Sequence, residues 1–200
     1  LSAQSGWAAF PTQLPVGSLP VPITAQATNY SCGAAAILSV LTYWQAWTGH
    51  ETDLYGLLET TEKDGTHPMK MAEGAKVLGL NARVQQGMTL ADLQAALSRG
   101  ETVILDIQAW PDRSLPPRPW SEMWDDGHYV VLVGMDAEAV YAMDPSVPTG
   151  YAWMPASELL DRWHDFEDRS GAVEKHEKLG IIISGRQPMA TFPAPLIRLE

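Results

Sequence analysis

A single cysteine, Cys32, stands among residues that a thiol nucleophile needs. A lone thiol is most often a small buried hydrophobe, so its neighbours must decide. The run Gln26-Ala27-Thr28-Asn29-Tyr30-Ser31-Cys32-Gly33-Ala34-Ala35-Ala36 puts the sulfur in the first turn of an apolar helix. Unpaired amides and the positive end of the helix dipole favour a thiolate there. Gly33 removes bulk beside the sulfur, so a carbonyl group can approach. Gln26 lies six positions earlier; its side-chain amide and the Cys32 backbone N–H would form a two-donor oxyanion hole.

A base for that thiol appears at Asp126-Gly127-His128-Tyr129-Val130-Val131-Leu132-Val133-Gly134. His128 opens a strongly β stretch, and Gly127 leaves its face open to a substrate. An imidazole at a strand start is rigidly held and can face a sulfur across a cleft. Sixteen residues on, Asp144-Pro145 closes a second strand. Two antiparallel strands turning at Asp136 to Glu138 would bring Asp144 beside His128, where it would hold the ring tautomer through the nitrogen facing away from Cys32. Each feature alone has a plain structural explanation, a strand histidine and an Asp-Pro turn. Their order along the chain is what points to Cys-His-Asp chemistry.

The elements that would carry these residues follow from periodicity. The spacing predicts helices over Cys32 to Trp47, stopped at Gly49, then Asp53 to Glu59 and Met69 to Leu78, the last with Gly79 at its C-cap. A short strand over Asn81 to Gln85 precedes a helix capped by Thr89 and running to Ser98. The pattern then turns β, over Thr102 to Gln108, Tyr129 to Gly134, Ala139 to Met143, Tyr151 to Met154 and Gly180 to Ser184. A late helix is expected over Ser157 to His164, and a charged loop or hairpin over Asp165 to Lys178. Helices first and antiparallel strands second imply an α+β domain, with a helical half carrying Cys32, a sheet half carrying His128 and Asp144, and the cleft between them. The expected layout is an extended arm over 1–22, one domain over 23–190 and a C-terminal tail over 191–200.

Composition narrows the function. Thirteen Lys and Arg against 24 Asp and Glu give a net charge of −11, and the cations never cluster, which argues against nucleic acid. No apolar run reaches the roughly 18 residues of a membrane span. One cysteine excludes an internal disulfide and a multi-thiolate metal site. His50, His67, His164 and His176 show no ligand spacing, so neither metal nor cofactor is expected. The chain lacks an initiator Met, and a soluble protein of the bacterial cytoplasm, or an exported one with its signal removed, is expected. Nothing in the sequence sets the oligomeric state. Trp110, Trp120 and Trp124 flank a proline-rich loop, Pro111 to Pro119, ahead of His128; Trp124 is placed in the substrate groove on that account.

These pieces together resemble the bacteriocin-processing, double-glycine-leader cysteine peptidases and their stand-alone relatives, of papain-like fold. The matching segments are Gln26 through Ala35, Gly65-Thr66 to Gly79-Leu80, His128 to Gly134, and Val140 to Pro145. The resemblance implies Gln26 as oxyanion donor, Cys32 as nucleophile, His128 as general base and acid, and Asp144 as the orienting residue. It implies a peptide or protein substrate. Two departures stand out: Ser31 replaces the aspartate often found before the nucleophile, and no transporter domain is attached. A peptidyl transferase built on the same residues, or a peptide-binding module without turnover, are the alternatives.

Overall fold

The computed structural model describes residues 11–111, 113–169, 171–192 and 194–198, without the Arg169 side chain. Residues 1–10 of the expected arm and 199–200 of the expected tail lie outside the described residues. The chain begins with three helices, α1 (Cys32–Tyr43), α2 (Glu51–Leu58) and α3 (Pro68–Val77). Strand β1 (Asn81–Gln85), helix α4 (Leu90–Ser98) and strands β2 (Thr102–Gln108), β3 (Gly127–Met135), β4 (Ala139–Met143) and β5 (Tyr151–Pro155) follow. Helix α5 (Ala156–Arg162), the hairpin β6 (His164–Arg169) and β7 (Ala172–Glu177), β8 (Gly180–Ser184) and β9 (Leu196–Arg198) complete the domain.

Seven strands form one sheet in the order β1-β8-β2-β3-β4-β5-β9. Every pairing is antiparallel except β5 with β9, which is parallel. The expected tail thus supplies the edge strand, over Leu196–Arg198, and the sheet extends past residue 190. Alternation along the strands sorts the core into two layers. Ile104, Tyr129, Val131 and Val133 pack with α1, α2 and α3 on one face. Val103, Leu105, Val130 and Leu132 pack on the other with Leu93 and Ala96 of α4 and Leu159 of α5. The sheet is therefore covered on both faces, which is why β2 reads as an unbroken buried run.

Helix α1 is the element that delivers Cys32. Ala34, Ala35, Ala36, Ile37, Val40 and Leu41 are all fully buried, and the small alanines let the helix seat closely on the sheet. It ends at Tyr43, earlier than the expected Trp47, because Gln45 adopts the left-handed conformation at φ 55°. The bonds Gln45 N–H to Thr42 O and Ala46 N–H to Leu41 O close the last turn there. The Trp44 indole, which donates to Thr102 Oγ1 at 3.1 Å, fixes that exit. Thr89 caps α4 as expected, and Asp92 returns the bond to complete a capping box. The charged stretch after α5 is the β6–β7 hairpin, anchored to β2 by buried polar groups: Gln108 Nε2 donates to His164 O, and His176 Nδ1 meets Asp106 Oδ2 at 2.9 Å. Among the described residues no helix is long and apolar enough to cross a membrane.

Candidate active site

The β3–β4 hairpin returns the chain on itself, and the His128 Nε2 atom lies 2.7 Å from Asp144 Oδ1. Both residues are only 1% exposed, so little water competes for the bond. Ser146 donates to the same carboxylate oxygen through its backbone N–H and its hydroxyl, each at 2.7 Å. Asp144 is accordingly held below its usual range: burial opposes this, but the bond and charge of His128 and the Ser146 donors prevail. Burial likewise works against a charged His128, yet Asp144 and then the Cys32 thiol raise its pKa from 6.5 to about 10. The ring is thus an imidazolium at neutral pH. Its other nitrogen, Nδ1, is buried with no hydrogen-bond partner, on a ring that senses the partly exposed Cys32 sulfur.

The loop before α1 is pinned from several sides. The Gln26 N–H donates to Pro145 O at 3.0 Å, which ties this loop to the residue following Asp144. The Ala27 N–H donates to Glu51 Oε2, and the Tyr55 hydroxyl donates to Glu51 Oε1. Ser31 does not cap α1; its Oγ accepts from the Thr28 N–H at 3.0 Å and donates to Thr28 O at 3.3 Å. The first turn of α1 carries no acidic residue, so nothing on the helix itself opposes a negative sulfur. The Gln26 amide spends one N–H on Thr28 O at 2.7 Å and keeps a second. Glu51 and Pro145 as supports of this loop were invisible in the sequence, because both contacts depend on how α2 and the β4–β5 turn pack.

Three residues expected around the substrate take specific places. A side chain at Gly33 would put its Cβ 2.8 Å from Thr66 Cβ and 3.1 Å from the Tyr129 ring. The space a side chain would need there is taken by Thr66 and Tyr129, both of which line the cleft at Cys32. Gly127 does line the cleft at Cys32, but one of its faces is filled: a Cβ there would lie 1.9 Å from Asp165 Oδ2. Trp124 lies outside the lining of the cleft, its ring tilted against His164 at 4.3 Å between ring centroids with Lys175 Nζ 4.6 Å from its ring. The tryptophan that does reach the site is Trp110, whose ring lies 4.5 Å from that of His128. Its backbone is left-handed at φ 46°. Such a geometry is not marked by the identity of the residue.

The scattered histidines converge more than their spacing suggested. His67, Glu174 and His176 bring one ligand atom each within 4.8 Å of one another. The Met69 N–H donates to His67 Nδ1 at 3.2 Å, so the neutral ring carries its proton on Nε2, the nitrogen facing Glu174 and Glu167. That tautomer suits hydrogen bonding to carboxylates and not metal ligation.

An apolar helix bearing a thiol at its N-terminus, laid on an antiparallel sheet whose strands carry a paired imidazole and carboxylate, is the papain-like α+β architecture. The chain belongs to the Peptidase_C39 like family, which matches residues 18–170. The fold is shared with a double glycine motif protease from an AMS/PCAT transporter solved in complex with the leader peptide, at TM-score 0.57 and 19% identity over 86% of this chain and 97% of that one. It is shared equally with a C39-like peptidase from Bacillus anthracis, at TM-score 0.57 and 16% identity over 87% and 98% of the two chains. The peptidase domain of Streptococcus ComA, a bi-functional ABC transporter involved in a quorum-sensing pathway, gives TM-score 0.54 and 18% identity over 83% and 99%. No curated protein sequence matches significantly.

Proposed function

We propose that this chain is a cysteine peptidase in which Cys32 is the nucleophile, His128 the general acid and base, Asp144 the orienting residue and Gln26 an oxyanion donor. The observation that carries this reading is the buried 2.7 Å bond between His128 and Asp144 on a ring that feels the Cys32 sulfur. With the proton resident on His128, the Cys32 thiolate attacks the carbonyl carbon of a peptide bond. The oxygen takes up negative charge, met by the Cys32 backbone N–H and the second N–H of Gln26. His128 gives its proton to the departing amine, the C–N bond breaks, and an acyl-enzyme remains. Water then attacks the thioester, its proton passing to His128, and the acid is released with the thiolate and imidazolium restored.

A peptide substrate is supported by family membership and by the fold shared with the protease solved with its leader peptide. The experiment is mass-spectrometric product analysis of a degenerate peptide pool incubated with wild type and His128→Ala, with and without an added primary amine. New carboxyl termini made by wild type and absent from His128→Ala are the expected result. More amide than acid in the presence of amine would shift the reading to acyl transfer, and identical products from both proteins would sink the assignment.

A further inference from the structure

Resting on the peptidase reading, the structure assigns a substrate preference to the cleft beside the nucleophile: we infer that it takes a cationic side chain, Lys or Arg, of the peptide being cleaved. The cleft at Cys32 has a volume of about 340 Å³, at the lower end of the range for ligand pockets. Five of its fourteen lining residues are carboxylates, Glu62, Asp64, Asp165, Glu167 and Asp168. Across the chain the proportion is 24 in 200, so the cleft is about three times as acidic as the protein's already acidic average. Overall surface charge therefore does not account for it.

The carboxylates come from two separate walls. Glu62 and Asp64 sit on a tight turn closed by paired bonds between Thr61 and Gly65, Thr61 N–H to Gly65 O at 3.0 Å and Gly65 N–H to Thr61 O at 2.9 Å. Gly65 takes φ +61°, a conformation that side chains resist. Asp165, Glu167 and Asp168 come from β6, held on β2 through Gln108. One cation lines the cleft among the described residues, Lys63, and it is paired to Asp64 at 3.3 Å. Burial and the neighbouring Asp106 raise the Asp165 carboxyl to about 8, so it adds no charge to the walls at neutral pH, and Glu167 faces His67 Nε2 at 3.5 Å. Tyr30, Tyr129 and Phe166 also line the space. Aromatic rings and carboxylates lining one space fit a long methylene stem ending in a cation. An acidic side chain would meet like charge there.

The test separates this inference from the peptidase reading. Fluorescent heptapeptides carrying Lys, norleucine or Glu at each position near the cleaved bond are titrated into Cys32→Ala, and their kcat/KM is measured with wild type. The inference expects Lys to exceed norleucine about tenfold in binding and in kcat/KM at one position, with Glu below both. In Glu62→Gln/Asp64→Asn/Asp168→Asn that preference should fall to within about twofold. Raising salt to 0.5 M should weaken it in the wild-type protein, a check independent of whether the triple variant folds. Equal handling of Lys and norleucine by a protein that cleaves both overturns the inference and leaves the peptidase reading standing. Carboxylate-dependent binding of Lys peptides without cleavage upholds the cleft assignment and overturns the peptidase reading.

Discussion

Asp144→Asn removes the charge beside His128 while leaving an oxygen that can still accept from Nε2. The rise of His128 from 6.5 to about 10 corresponds to about 5 kcal/mol of preference for the imidazolium, an upper bound at 1.36 kcal/mol per unit. Burial pulls the other way, so without the carboxylate's charge the ring becomes neutral at pH 7. Loss of one partner from a buried pair costs about 3–5 kcal/mol; with the hydrogen bond retained, about 3 kcal/mol is expected. In a chain of this size that lowers Tm by about 6–12 °C. A group with a raised folded pKa contributes stability that is fully present below about 6.5 and is lost as pH rises to about 10. Asp144, held low, contributes above its unfolded range near ~3.9 and loses that contribution in more acid solution. The difference in Tm between wild type and Asp144→Asn should thus be widest near pH 5–6.5 and close toward pH 10. Peptide hydrolysis at pH 7 should fall about 10²- to 10⁴-fold, because the proton needed by the leaving amine is no longer held on the ring. Differential scanning calorimetry across pH and progress curves on a cleaved peptide provide the readouts. A Tm gap that stays constant from pH 6 to 10, or unchanged hydrolysis, would refute the reasoning.

Gln26→Ala should lower kcat by about 10²- to 10³-fold yet leave Cys32 alkylation by iodoacetamide within about twofold, because that displacement develops no oxyanion; equal losses in both would remove Gln26 from the assigned role. Asp165, raised to about 8 by burial and then Asp106, keeps in the folded state a proton that the unfolded chain releases near ~3.9, so stability falls as pH rises from about 4 to 8. Asp165→Asn should therefore raise Tm by about 4 °C at pH 8.5 and by little at pH 4, measured by thermal unfolding; a lower Tm at pH 8.5 contradicts this. Gly127→Ala places a Cβ against Asp165 and should cost about 1–3 kcal/mol. In a double-mutant cycle with Asp165→Ala most of that cost should vanish, and additive losses would show that the contact is not the cause.

The parts legible in the sequence are those governed by local pattern. The bounds of β1, β2, β4 and β8 coincide with the period-2 and apolar runs at 81–85, 102–108, 139–143 and 180–184. The approach of Asp144 to His128 followed from one short hairpin between adjacent strands. Contacts made by distant segments were not legible. Thr66 fills the space at Gly33, and Asp165 occupies the open face of Gly127; these depend on how the turn before α3 and the β6–β7 hairpin fold back over the sheet. The same holds for Trp124, which packs on His164 while Trp110 lies against His128. Strand β9 carries no period long enough to read, since its three residues gain their conformation from pairing with β5. The end of α1 escaped because a left-handed glutamine, not a glycine, closes it.

The measurement that tests the central claim most directly is the rate of Cys32 alkylation by iodoacetamide from pH 4 to 10, in wild type and in His128→Ala. A thiol without a partner follows the free-thiol titration near ~8.5. With the Cys32 proton held on a His128 that is itself held by Asp144, wild type should react rapidly at pH 5–6 and His128→Ala should not. A single rise near the free-thiol value in both proteins would contradict the account.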